Sequence, residues 1–244
     1  MAEVENAHWW YSATRAHLRQ LLDPFLDASA GDSSSKSFFD IGGGTGATGA
    51  WLEEFGTVYN VDVMPVANQL SRDYHATIEQ ITGSVTALPV KDESADGVLC
   101  VTVLYHRSVA DPVQAVRELA RITKPGGWVC LWEPGVRMLR RAHDDVTHTA
   151  RRFARKDLAD AARQSGLIVE RSTGAHLSLL PLAATKALIE LPMRKRSENA
   201  SDLAKGQDGL RGTLPALATL ERKALRRVSL PFGLSAVCVA TKPL

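Results

Sequence analysis

Cysteine is scarce in this chain. Its 244 residues contain three, Cys100, Cys130 and Cys238, an odd number, far apart and each inside an apolar run. That excludes a disulfide-built scaffold and fits buried free thiols in a reducing compartment, so a cytoplasmic location is expected. No C-x-x-C or H-x-x-x-H pair accompanies them, so no metal site is expected. No apolar stretch reaches the roughly eighteen uninterrupted residues that a membrane span needs. The opening MAEVENAHWWYSATR lacks the basic start and apolar run of a secretory signal.

An excess of one charge is also lacking overall, the net charge being +2, but the two halves differ. Residues 1–133 carry a net −8 and residues 134–244 a net +10. A basic second half would attract an anionic substrate or surface, although a solvated charged face explains it as simply. Hydrophobic content of 45% and charged content of 23% are those of an ordinary globular protein. One domain over residues 1–244 is expected at this length.

Short apolar runs alternate with helical patterns from Phe38 onward. FFDI, VYNVDV, TIEQITGSV, ADGVLCVTVL, GWVCLWE and GLIVERS read as strands. GATGAWLEEF, PVANQLSRDYH, DPVQAVRELARITK and ARKDLADAARQS between them have the i, i+3, i+4 spacing of helices. KPGG (124–127) reads as a helix stop and tight turn. This rhythm predicts an α/β fold with a doubly wound, largely parallel sheet. An amphipathic helix over 8–26 precedes it, ending near Pro24, and a linker, GDSSSKS, separates the two. After residue 173 the rhythm breaks into the apolar 177–191, the polar 192–213 with the composition of a mobile loop, a helical 214–228, and a last strand, LSAVCVATK.

The stretch FFDIGGGTGATG holds two glycine fingerprints. From Asp40 it reads D-x-G-x-G-x-G (Asp40, Gly42, Gly44, Gly46), and from Gly44 it reads G-x-G-x-x-G, ending at Gly49. The second suits a pyrophosphate, but its first glycine lies two residues late for that role. Counted from Gly42, Ala47 would still permit the dinucleotide pattern, so glycine spacing alone leaves both open. A carboxylate at the mouth of the turn, Asp40, would repel a diphosphate and favour a ligand with ammonium and sulfonium charges. Asp62, at the end of the second strand, would accept both ribose hydroxyls of either nucleoside. An S-adenosylmethionine site is therefore favoured over an NAD(P) oxidoreductase. A cofactor-binding protein without catalysis is a third reading.

DIGGGTG, the VDV acid, GSVTALPVKDESADGVLCVTVLYH, LARITKPGGWVCLWEP and the last strand together resemble the class I S-adenosylmethionine-dependent methyltransferases, in particular the bacterial small-molecule group that includes the menaquinone and ubiquinone methyltransferases. The resemblance covers roughly 36–173 and the last strand. It implies a Rossmann-like sheet of seven strands with an antiparallel last strand, an N-terminal helical cap (1–30), a core (36–173), a helical insertion or lid (174–230) and a closing strand (231–244). It implies that Asp40, Gly42, Gly44 and Gly46 line the methionine part of the cofactor, that Asp62 holds the ribose, and that Val63 and Met64 pack beside the adenine. Ser84 stands where many relatives have Asp or Asn against the adenine amine, with Val85 offering a backbone amide. Thr102 and Val103 would face the methyl group.

Methyl transfer needs mainly collinear positioning in a dry site, and a base only for a hydroxyl or protonated amine acceptor. His106, after the fourth strand, is a candidate base, or else orders its loop; Tyr105 beside it would stack on a ligand or fill core. WEPGVRMLRRAHDDVTHTARRF resembles the acid–x–x–x–His–x–x–Arg–Arg–aromatic pattern of some family members, at Asp144, His148, Arg151, Arg152 and Phe153. His148 is a second candidate base, and Arg151 or Arg152 would clamp an anionic acceptor, unless both are solvated. His143 and Glu133 are further pocket candidates. Zinc on His143 and His148 is excluded by their i, i+5 spacing. His17, His75 and His176 are expected on the surface. Trp10 and Tyr11 would cover the cofactor and Arg15 meet its carboxylate, or the aromatics would staple the first helix to the sheet. The apolar 177–191 with Arg194, Lys195 and Arg196 after it suits a dimer interface or substrate lid better than a membrane surface. No N-P-P-Y-like tetrad or aromatic-interleaved basic module is present, so a small-molecule acceptor is expected and a nucleic acid is not.

Overall fold

The computed structural model describes residues 5, 8–27, 36–136, 149–190 and 213–244. His143, Asp144, His148, Arg194, Lys195 and Arg196 lie outside them, as does nearly all of the 192–213 segment. The chain begins with α1 (Trp9–Asp27) and continues β1 (Ser37–Ile41), β2 (Thr57–Asp62), α2 (Pro65–Tyr74), β3 (Glu79–Thr82), β4 (Ala95–Val101), α3 (Pro112–Ile122) and β5 (Thr123–Pro134). Then come α4 (Arg155–Gln164), β6 (Ile168–Ala175), α5 (Leu180–Glu190), α6 (Thr213–Leu225) and β7 (Ser235–Thr241).

Seven strands form one sheet in the order β3-β2-β1-β4-β5-β7-β6. The first five pair in parallel, and β7 runs antiparallel between β5 and β6. Strands buried on both faces read as continuous apolar runs, which is why ADGVLCV and WVCLW are so rich in Val, Leu, Cys and Trp. Along β1 the pleat sends Phe39 and Ile41 into one core, with Val116 of α3 and Leu158 of α4, and Phe38 into the other. Leu18, Leu21, Leu22 and Leu26 of α1 cover that second face against Leu99 and Trp128. Each such leucine contributes roughly 2 kcal/mol by leaving water. The α3 start is fixed by Asp111, whose carboxylate accepts from the amides of Val113 (2.8 Å) and Gln114 (3.2 Å), with Pro112 at the first helical position.

Two local expectations need correction, and the first helix, with Pro24 near its end, is as expected. The segment after the glycines forms only a 3-10 turn, Ala50–Glu54, not an α-helix. Gly46 has φ 79°, outside the helical region, so the loop runs on through residue 49 before the short helical turn, whose Ala50 amide donates back to Gly46 O (3.1 Å). KPGG lies within β5 at a bulge, where the pairing shifts between Ala95 and Gly97, and the Gly126 amide donates to Lys242 O (2.9 Å). Pro24 sits inside α1, which continues to Asp27.

Candidate cofactor and acceptor site

Strand order reverses between β1 and β4, and ligands of open α/β sheets bind beyond the carboxyl ends of the strands at that point. The Asp40–Gly49 loop leaves β1 there, and Thr102 leaves β4 beside it, since Ile41 is in register with Cys100.

Loop conformation separates the two glycine frames. Gly42, Gly44 and Gly46 all have positive φ (69°, 58° and 79°), whereas Gly49 does not. At Gly44 an added Cβ would meet nothing within 4 Å, so its backbone faces open space where a ligand can approach. Gly49 instead packs on Asp40, a Cβ there falling 2.7 Å from a carboxylate oxygen. The conformationally special glycines are those of D-x-G-x-G-x-G.

Asp40 is not where the electrostatic reading put it. It is 1% exposed, under the loop rather than at its mouth. Burial pushes its pKa up to about 7, with Asp62 and Glu5 adding to the rise and the Gly49 amide opposing it. The strand pleat explains the correction: the residue before the last strand position points into the layer below the turn. Asp62 takes over as the carboxylate at the lip. Its two oxygens accept from the Gly44 amide (3.1 Å) and the Met64 amide (2.8 Å). Val63 and Met64 stand exposed beside it. Glu5, which sequence reasoning missed, adds a second acid: its carboxylate accepts from the Thr45 hydroxyl and its carbonyl from Arg15 (3.2 Å). No sequence pattern marked Glu5, because its contact with the loop spans 40 residues.

Asn60, two residues before Asp62, is fully buried and donates to Gly44 O (3.1 Å) and Gln80 Oε1 (2.9 Å). Gln80 donates onward to Ser71 Oγ (2.9 Å). The loop thus rests on a polar floor supplied by β2, β3 and α2. Ser84 Oγ bonds Thr86 Oγ1 (2.9 Å), and the Val85 side chain is buried in the core.

A cavity of about 140 Å³ lies next to the loop, lined by Trp10, Tyr11, Thr14, Thr48, Val101, Thr102, Trp132, Pro134, Leu234 and Ser235. Trp10, Tyr11 and Thr102 were legible in the sequence; Thr14, Trp132 and the start of β7 were not. Thr102 has φ 57°, a conformation that costs a β-branched residue energy and is common at functional sites. Its amide donates to Trp132 O (2.7 Å), fixing β4's end to β5.

Several candidate residues are occupied elsewhere. Glu133 is buried, and its carboxylate accepts from the amides of Val103 (3.0 Å), Leu104 (2.7 Å) and Tyr105 (3.1 Å). Burial pushes its pKa up to about 8 against those bonds and the nearby Arg151. Trp132 lines the cavity, so Glu133, the next residue of the strand, faces the opposite way and ties down the β4 loop instead of meeting a substrate. Arg151 donates to Val109 O (2.6 Å) and Arg152 to Gly135 O (3.0 Å). Both line a separate groove with Pro112, Val113 and Phe153, so neither is arranged as an anion clamp in the cavity beside Thr102. His106 Nδ1 accepts from the Ser108 amide (3.1 Å), which leaves the proton of a neutral ring on Nε2. Through Nδ1, which also lies 2.7 Å from Ser108 Oγ, His106 orders its loop, and Tyr105 packs against the core.

His17 and His176, expected on the surface, are 1% and 0% exposed; His75 is half-buried. His17 is on the inner face of α1 and His176 lies beneath that helix, its ring centre 4.1 Å from Trp10, 5.0 Å from His17 and 5.6 Å from Trp132. The three cysteines are free and buried.

Residues 39–131 match the family model described as a methyltransferase domain. Over 195 residues the chain is 28% identical to a ubiquinone biosynthesis O-methyltransferase of Bordetella pertussis, covering 68% of this chain and 80% of that one. It is 27% identical over 217 residues to a biotin biosynthesis bifunctional protein BioHC of Teredinibacter turnerae, covering 80% of this chain but only 37% of that longer protein. A chain in the complex between the Haloferax volcanii Trm112 methyltransferase activator and a methyltransferase superposes with a TM-score of 0.61 at 19% identity, over 100% of this chain and 93% of that one. The residues present fit S-adenosylmethionine: a glycine loop open at Gly44, and an acid held at the end of β2. With these matches, residues 39–131 carry a methyltransferase domain, and S-adenosylmethionine is its cofactor.

Proposed function

We propose that this domain methylates a hydroxyl oxygen of a small molecule. The observation that carries the reading is the small cavity under α1, walled by Trp10, Tyr11 and Trp132, at the end of β4 where Thr102 sits. A small, largely apolar, aromatic site suits a compact acceptor rather than a polymer. The relatives named for ubiquinone biosynthesis O-methylation support oxygen as the nucleophile.

Bound S-adenosylmethionine would supply an electrophilic methyl on a sulfonium. The protein's part is positional. Asp62, pre-oriented by the Gly44 and Met64 amides, would hold the ribose; Arg15 and Glu5 would meet the carboxylate and ammonium of the methionine end. Thr102 and Val101 would border the transferring methyl, and α1 would exclude water. On transfer to an acceptor oxygen the cofactor would leave as the neutral thioether, and the hydroxyl proton would pass to a base or to solvent. His148 is the proposed base.

Incubation of the protein with S-adenosylmethionine and a panel of hydroxylated small molecules tests this. Equimolar methyl ether and S-adenosylhomocysteine are expected. Methylation confined to carbon or nitrogen, or cofactor binding with no turnover on any acceptor class, would overturn the oxygen assignment.

A further inference from the structure

Among the described residues, three buried polar side chains under or on α1 leave four atoms without a partner: Thr14 Oγ1, which lines the cavity, His17 Nε2, whose residue borders a second cavity with Trp9 and Arg222, and both ring nitrogens of His176. Such groups are costly to bury unsatisfied, and a cluster of them calls for an explanation. Trp10, Thr14 and His17 follow one another at i, i+4 and i+7 on one face of α1, so they present a common surface. Thr14 lines the cavity directly, and Trp10 and Trp132, which also line it, pack against His176.

The donors and acceptors can be counted. His17 Nδ1 lies 2.8 Å from the Ala13 carbonyl, which can only accept, so Nδ1 carries the proton and Nε2 of the neutral ring is an acceptor. Burial lowers the pKa of His17 and takes that of His176 down to about 3, so both rings are neutral. His176 therefore offers one donor and one acceptor, and the Thr14 hydroxyl offers both. A carboxylate guest would leave the His17 acceptor unmatched. It would also approach Glu221, which acts electrostatically on His17 and is held by the Ser178 amide at 2.7 Å. An ammonium guest would leave the donors unmatched. A neutral hydroxyl, at once donor and acceptor, matches all three.

Resting on the methyltransferase reading, we propose that Thr14, His17 and His176 form a recognition subsite for an uncharged hydroxyl on a planar ring of the acceptor. The flat part of that ring would lie between Trp10 and Trp132. At about 140 Å³ the cavity is smaller than the several hundred Å³ of ordinary ligand sites. Loading therefore requires α1 to shift, and movement of Trp10 off His176 exposes the imidazole to the acceptor.

The test uses the full chain saturated with S-adenosylhomocysteine, with uptake checked first by calorimetry. Resorcinol, its dimethyl ether and benzoate are then titrated, with tryptophan fluorescence as the readout. The wild type should bind resorcinol at least about tenfold more tightly than either analogue, the discrimination expected of one matched buried hydrogen bond. Thr14→Val, which keeps the side-chain shape, and His17→Phe should reduce that preference to under about threefold while leaving nucleoside uptake unchanged. His176→Asn keeps a donor, an acceptor and tolerance of the left-handed backbone that His176 adopts (φ 58°), and should retain most of it. Failure of nucleoside uptake would sink the cofactor reading itself. With uptake intact, equal binding of the three probes, no resorcinol binding, or an undiminished preference in Thr14→Val and His17→Phe would overturn the subsite.

Discussion

The amide of Gly44 donates to the carboxylate of Asp62 across 3.1 Å, so the glycine loop and the acid that ends β2 are one unit. The bond ties the part of the loop that faces open space to the group placed to receive a ribose. Asp62→Ala should lower the affinity for S-adenosylhomocysteine by at least about tenfold, since hydrogen bonds to a charged group contribute roughly 1.5–3 kcal/mol. Calorimetry measures it. An affinity within twofold of wild type would remove Asp62 from the cofactor site.

Asn60 carries the other end of that unit. Replacing it with Ala strands Gly44 O and Gln80 Oε1 away from their donor, so both stability and cofactor affinity should fall, stability by about 1–3 kcal/mol. Urea unfolding with and without S-adenosylhomocysteine separates the two effects. If only stability changed, Asn60 would be a packing residue with no hold on the loop.

The buried Asp40 sets a dependence on pH. Its folded pKa of about 7 lies above the ordinary aspartate value of 3.8, so between those values the folded state binds more protons than the unfolded one. Stability from this group is fully present below about pH 4 and is lost as pH rises through about 7. The loss should be roughly 2–4 kcal/mol at full ionisation. Asp40→Asn should flatten that part of the urea-stability profile measured from pH 5 to 8. An unchanged slope would mean that another group, such as Glu133, titrates there.

Glu133 offers a direct contrast between a substrate contact and a structural acceptor. Its replacement by Ala would leave three amides of the β4 loop without a partner, at a cost of about 3 kcal/mol or more. Thermal unfolding should show that loss, with little change in the KM of the acceptor in whatever fraction stays folded. A normal melting temperature with a greatly raised KM would return Glu133 to the pocket.

How much of this was legible beforehand depends on the range of the interaction. The strand–helix rhythm, the DIGGGTG loop and Asp62 are local patterns, and the sheet and cofactor followed from them. Asp40 was identified as important but set on the wrong side of its turn, because the pleat decides which layer a side chain enters. Glu133 failed for the same reason, one residue away from Trp132, which does line the cavity. His17 and His176 were taken for surface residues, since a histidine in a helix or after a strand has no pattern that reveals burial.

The sequence by itself determined the order of elements and the places of the glycine loop after β1 and of Asp62 at the end of β2, because these are local patterns; the positive φ of Gly42, Gly44 and Gly46 then separated the two frames of the loop. Only the tertiary structure decided which polar groups face the acceptor. Thr14 lines the cavity and His176 lies 162 positions away, behind Trp10, and the two come near each other only once α1 packs over the sheet. The physical reason is that burial and hydrogen-bond partnership are set by packing between distant segments, which no local spacing encodes.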